Sequence, residues 1–178
     1  MMRARGNRPG GQSPGGRPGG AHAGNDGGRR PPDHNDEIAE ALTNTGRIDL
    51  WSDGNRRTLR PELLDKEAQE RAKALREVAS TQLRRFYGPT IAFKQRLQLD
   101  SQISDNEVGA QVAYLKASSA YAGARARKQR KALVEFFVAA ANSVKTRDDY
   151  VAFTRHFEAV MAFHKVFEEK QSAREKED

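Results

Sequence analysis

A chain of 178 residues has room for one domain of ordinary size and a tail. It contains no cysteine, which excludes a disulfide framework and a thiolate zinc site and fits a reducing compartment. No apolar run approaches the roughly 20 residues that span a bilayer, and the N-terminus has no hydrophobic signal segment, so the expectation is a soluble, cytoplasmic protein.

The net charge of +7 is unevenly placed. Residues 1–35 hold six arginines and two aspartates, and Arg84–Lys131 holds ten basic against three acidic residues, which leaves the rest of the chain net acidic. Segregated positive charge is what a surface for a polyanion requires.

Met1 to about Asn35 contains ten of the fifteen glycines and five of the seven prolines. Such a segment buries too little apolar surface to offset its ordering entropy and is expected to be a disordered tail. Its Arg-Gly pieces are similar to RNA-associated arginine–glycine tails; a plain flexible leader is the preferred reading.

Residues 36–60 are expected to form an N-terminal arm. Ile38–Leu42 suits one helical turn, and Ile48, Leu50 and Trp51 precede a turn signal, Ser52-Asp-Gly-Asn55. The single tryptophan should pack the arm onto the body. The helical body is expected over residues 61–170. Pro61 is preorganised for a first helical position, and Leu64, Ala68, Ala72, Leu75 and Ala79 recur at helical spacing.

Ser80 and Thr81 offer an N-cap to the next helix. Its stripe is Leu83, Phe86, Tyr87, Ile91 and Leu97, with Lys94 the polar exception. Gly88-Pro89 falls inside it and is expected to kink or briefly break it. Ser104-Asp-Asn-Glu107 matches the capping box and opens a helix through Val108, Val112 and Leu115 to about Tyr121, with Gly123 at its end or bend. A further helix from about Ala124 to Val144 carries Leu133, Phe136 and Phe137. Thr146-Arg-Asp-Asp149 offers another cap with acids in the first turn. The last helix places Tyr150, Phe153, Phe157, Val160, Met161, His164 and Phe167 on one stripe, before a charged C-terminal tail over 171–178. With no period-2 stretch rich in β-branched residues, the fold expected is all-α, a single bundle of about five helices.

Little here supports catalysis. No HExxH motif or carboxylate cluster is present, and His156 and His164 lie about 80° apart around a helix, so no metal site is expected. The phosphate-loop pattern Gly-x-x-x-x-Gly-Lys is absent, and no cofactor is expected. A metal-free ribonuclease would use His164 as general base; a buried histidine bonded to backbone is preferred.

What remains is a basic set: Arg84, Arg85, Lys94, Arg96, Lys116, Arg125, Arg127, Lys128, Arg130 and Lys131. Arg127 and Lys131, at i,i+4, share a helix face, and two helices are expected to bring the set into one groove. The Phe and Tyr residues are assigned to the core, so aromatic interleaving is weak, which favours contacts to phosphate backbone over base stacking. A solvated helix face beside a core helix accounts for the same cluster and stays open.

Three segments carry a resemblance. Thr81-Gln-Leu-Arg-Arg-Phe-Tyr87 resembles a "(T)SQIRKFY" start, Leu115-Lys-Ala-Ser-Ser-Ala-Tyr-Ala-Gly-Ala-Arg125 an "L-x-P-x-x-A-Y-x-x-G-R" segment, and Phe157-Glu-Ala-Val-Met-Ala-Phe-His-Lys165 an "FEAIVAYHK" ending. In this order, over about residues 48–168, they are similar to the small subunit of the type III-A CRISPR interference (Csm) complex. The resemblance implies an all-helical, non-catalytic subunit acting in antiviral defence. Several copies would stack along the guide RNA–target RNA duplex, beside the backbone and large subunits.

The family's RNA contacts, carried over by motif, fall on Arg84, Arg85, Lys116 and Arg125. Ala124 departs from the second motif as an inserted-looking residue beside Arg125. Lys94, Arg127, Lys128 and Lys131 are added by charge segregation alone. The alternative is a stand-alone basic helical RNA-binding adaptor or chaperone.

Overall fold

The computed structural model describes residues 33–125 and 131–174. Nearly all of the leader expected over 1–35 lies outside the described residues, as do 126–130 and the last part of the charged tail.

Six α-helices and one 3-10 turn follow in order: α1 His34–Asn44, a 3-10 turn Pro61–Leu64, α2 Lys66–Ala74, α3 Ser80–Leu99, α4 Asp105–Ala124, α5 Lys131–Ser143 and α6 Arg147–Arg174. The all-α bundle is as expected, with α1 more than the single turn foreseen around Ile38. Its extra length follows from an N-terminal cap: the Asp36 carboxylate accepts from the Asp33 backbone N–H at 3.2 Å, and acids in the first turn complement the helix dipole.

The arm then crosses the bundle. Ser52 N–H donates to the Thr58 carbonyl at 3.0 Å and Arg60 N–H to that of Leu50 at 3.2 Å. They close a narrow loop around one antiparallel bridge, Trp51 with Leu59. The turn is held by Asp53, whose carboxylate accepts from Arg57 N–H and the Thr58 hydroxyl. The loop requires a left-handed residue, and Arg56 fills that place with φ 54°. Trp51 packs the arm onto the body as expected, through its indole N–H to Asp149 at 2.8 Å.

Pro61 opens only a 3-10 turn, because Asp65 leaves helical torsion angles (φ −125°, ψ −96°) before α2 begins. That break shifts the helical phase. Leu63, rather than the expected Leu64, enters the core, while Leu64 is 41% exposed and Ala79 is an exposed cap. Ala68, Ala72 and Leu75 are buried as expected.

α3 is unbroken across Pro89, so the brief break expected as one outcome does not occur. Pro89 sits on the exposed side, so the Arg85 carbonyl that it leaves without an i+4 donor lies towards solvent, where water satisfies it. The buried stripe is Leu83, Phe86, Thr90, Phe93 and Leu97; Tyr87 and Ile91 flank it, half-buried. Thr90 bonds its hydroxyl to the Phe86 carbonyl at 2.8 Å, which lets a polar side chain sit in the core.

Two of the three expected caps are present; at α3 the N-cap position falls on Ala79, so Ser80 lies inside the first turn and bonds its hydroxyl to Glu168 instead of capping. Ser104 and Glu107 bond reciprocally at the start of α4. Thr146 and Asp149 do the same at α6. α5 is apolar on nearly every side, with Leu133, Val134 and Phe136 to Ala140 all buried, and so forms the centre of the bundle. Phe136 and Phe137 meet Phe86, Phe153 and Phe157, with ring centroids 4.7–6.5 Å apart. α4 closes onto this centre at Gly123, where a Cβ would stand 2.8 Å from Val134 Cγ2 and 3.0 Å from Ile38 Cδ1. The close approach of α1, α4 and α5 therefore depends on glycine.

α6 runs antiparallel to α3. Ser80 meets Glu168, Lys94 meets Glu158, and the Tyr150 hydroxyl donates to the Thr90 carbonyl. Burial pushes the Tyr150 phenol up to about 12, so it stays a donor. α2 lies along another side of α6, tied by His156 Nδ1 to the Leu63 carbonyl at 2.6 Å and His164 Nε2 to the Leu75 carbonyl at 3.0 Å. Among the described residues no helix is long and apolar enough to cross a membrane.

Candidate functional site

α3 and α4 are joined by a short turn, but α3 packs chiefly on α6 and α4 chiefly on α5. A groove of about 450 Å³ opens between them. α3 contributes Gln82, Arg85 and Pro89, and α4 contributes Tyr114, Ser118 and Tyr121, with Arg125 just past its end, over a floor of Phe86 and Leu115. Among the described residues no carboxylate lines it.

The two arginines come from different segments, as the expectation of one groove required. Arg85 is exposed and has no acidic partner within ion-pair distance among the described residues. Arg125 follows the last turn of α4 in helical torsion angles (φ −85°, ψ −8°). It lies over the Tyr121 ring, 5.4 Å from the centroid, and donates from Nη1 to the Tyr121 hydroxyl at 2.6 Å. The ring therefore aims a guanidinium without neutralising it.

The remaining basic residues do not join them. Arg84 is exposed but lies outside the groove lining, about 100° around α3 from Arg85. Lys116 is half-buried and, at about 100° per residue, projects about 180° away from Arg125, on the other flank of α4. Lys94, the polar exception on the α3 stripe, is explained by a partner: its Nζ meets Glu158 Oε1 at 2.9 Å across the α3–α6 seam. Arg96 lies against the Phe93 ring. Lys131 meets Glu40 at 2.6 Å and Glu135 at 4.0 Å, and the Glu40 hydrogen bond holds its ammonium above the ordinary lysine range. Arg127, Lys128 and Arg130 lie outside the described residues.

The expectation that the tyrosines belong to the core does not hold for α4. Tyr114 is 63% and Tyr121 64% exposed. A signal for them was in the sequence: they are seven apart, two helical turns, and both fall off the Val108, Val112, Leu115 and Ser119 stripe. Guanidiniums suited to phosphate oxygens thus stand beside open aromatic faces suited to bases.

Among the described residues that line the groove none is a histidine or a carboxylate. His164 is 1% exposed, with Nε2 on the Leu75 carbonyl and Nδ1 enclosed without a hydrogen-bond partner among the described residues. It is a packed core histidine, as preferred. His156 is equally buried; burial holds its imidazole below the ordinary 6.5 despite the hydrogen bond to Leu63. Among the described residues no three His, Asp or Glu side chains converge to hold a metal.

A family model described as Csm2 Type III-A matches residues 58–170, from the end of the arm loop to near the end of α6. No curated protein and no solved structure matches the chain.

Proposed function

The chain belongs to the Csm2 Type III-A family, the small structural subunit of the type III-A CRISPR complex, and we propose that it contacts RNA there through the α3–α4 groove. Several copies stack along the guide RNA–target RNA duplex. Their other partners are one another and the backbone and large subunits, in the cytoplasm. Each copy grips phosphates with Arg85 and Arg125. The observation that carries this reading is convergence: Arg85 and Arg125, from different segments, line one groove with no carboxylate among the described residues, whereas Lys94 and Lys131 are paired with carboxylates elsewhere. A purely structural surface gains nothing from that difference; a phosphate-binding surface requires it.

The subunit is non-catalytic in this reading. The burial of His164 supports it, since a general base must reach the hydroxyl that it deprotonates.

The test is the double variant Arg85→Ala/Arg125→Ala. Binding of single-stranded RNA should weaken across unrelated sequences, and the slope of log affinity against log salt should fall by roughly 1.4, or 0.7 for each lost phosphate. Exposed charges outside buried networks change stability by no more than about 0.5 kcal/mol, so melting should hold. The variant should still enter the assembled complex. Unchanged RNA affinity in the folded variant would sink the reading.

A further inference from the structure

A second basic pocket, of about 370 Å³, lies where the arm loop meets the first turns of α6. Its floor is Leu59 and Val151, one wall is the half-buried Trp51 indole, and its cations are Arg56, Arg57 and Arg155. Val151 and Arg155 point away from Tyr150, Phe153 and Phe157, so the pocket lies on the far side of α6 from α3. Trp51, Arg56 and Arg57 all precede the family match, which begins at residue 58.

The pocket is built from a buried anchor. Asp149 is 2% exposed, and its carboxylate accepts from Trp51 Nε1 at 2.8 Å, Arg56 Nη1 at 3.4 Å and the Lys145 and Thr146 N–H groups at 3.0 Å each. One carboxylate thus sets both an indole and a guanidinium at the pocket wall. The backbone that carries Arg57 is pinned in turn by Asp53. Arg57 and Arg155 are exposed, and neither has an acidic partner within ion-pair distance among the described residues. Among the described residues Asp148 is the one carboxylate in the lining, and it pairs with none of the three arginines.

We propose that this pocket is a second ligand site that takes a nucleoside phosphate, with the base against Trp51, Leu59 and Val151 and the phosphate between Arg57 and Arg155. Two unpaired guanidiniums select an oxyanion and hold it bidentately. A fixed indole over an aliphatic floor selects a flat, weakly polar group. A bare phosphate leaves that floor empty, and an acidic peptide brings further carboxylates against Asp148. A nucleotide uses every part, because Asp148 then accepts a hydrogen bond from a ribose hydroxyl or a base N–H. The volume suits one such unit. The nucleotide is either free or one unit of an RNA strand; only in the second case does the inference rest on the RNA-contact reading, which it extends to an opposite face.

Trp51 is the sole tryptophan, so its fluorescence reports this pocket alone. The full chain is titrated with uridylate, with a single-stranded oligouridylate, and with an oligoglutamate. Saturable quenching by an RNA ligand is expected. Quenching by free uridylate at mononucleotide concentrations assigns a free nucleotide, and quenching by the strand alone assigns a strand unit; both support the site. In Arg57→Ala/Arg155→Ala the midpoint should move by roughly tenfold or more with melting unchanged. No quenching by either RNA ligand, quenching that survives Arg57→Ala/Arg155→Ala, or equal quenching by oligoglutamate overturns the proposal. Pocket and groove fail separately, because one is read by Trp51 and the other by the salt slope of RNA binding.

Discussion

The two sides of α3 differ in what they do with charge. Towards α6, each polar group is answered: Lys94 by Glu158, the Thr90 carbonyl by Tyr150, and the first turn by Glu168, with the Leu97 carbonyl taken by Arg147 at the far end. Towards α4, Arg85 stands unanswered beside Arg125 and two exposed tyrosines. One helix thus carries a seam in which charges are spent on packing and a groove in which they are left for something else. Basicity alone does not separate the two; the position of the carboxylates does.

The largest expected break is in the seam. Phe157 is fully buried and meets Phe136, Phe137, Phe153 and Tyr87. Phe157→Ala should lower unfolding stability by about 3–5 kcal/mol in denaturant titration, and a loss below about 1 kcal/mol would mean that this aromatic centre is not the one that holds the bundle. Next comes the groove. Tyr114→Ala and Tyr121→Ala should each weaken single-stranded RNA binding by about 1–3 kcal/mol if bases stack there, with melting nearly unchanged; if only phosphates are held, Tyr114→Ala should do nothing.

Acidity tests the α2 side of α6. The folded His156 imidazole titrates below its ordinary 6.5 because it is buried, with Arg71 opposing its charge and Glu67 favouring it. Below pH 6.5 the unfolded chain therefore binds a proton that the folded chain refuses, and stability falls as pH drops through that window towards the folded value. His156→Asn, whose amide nitrogen stands where Nδ1 does and can still donate to the Leu63 carbonyl, should flatten the dependence; an unchanged profile would assign it to other groups. The smallest effect belongs to Lys94→Met. Its ion pair is partly exposed, so about 0.5 kcal/mol is expected at most. RNA affinity should not move, and a fall in affinity would erase the distinction between the two sides of α3.

Much of the fold was legible because its signals are local. The Ser104–Glu107 and Thr146–Asp149 caps depend on residues three apart and stand where they were expected. Leu63 was not legible, because the break at Asp65 that turns it inward is set by tertiary packing rather than by helical periodicity. That α3 passes Pro89 without a break was not legible for a related reason: a proline costs a helix less where the freed carbonyl faces water, and exposure is not written in the sequence. The groove was half legible. Its arginines stood out as charge, but that Lys94 and Lys131 are neutralised, and that Lys116 turns the other way, needed carboxylates and helix phases from 40 to 158 in one frame. The tyrosines were hidden by an assumption that aromatic residues seek the interior.

The start of α3 has a partner 88 residues away: the Glu168 carboxylate takes both the Ser80 N–H, at 3.3 Å, and its hydroxyl, at 2.5 Å. Ser104 caps α4 from its own neighbourhood, but α3 waits for the far end of α6. During synthesis the 88 residues that separate Ser80 from Glu168 must therefore all be made before the turn leading to Arg85 acquires this partner. A chain stopped before residue 168 carries Arg85 without the carboxylate that holds the first turn of its helix, so such a fragment would present the charge on a frayed helix end.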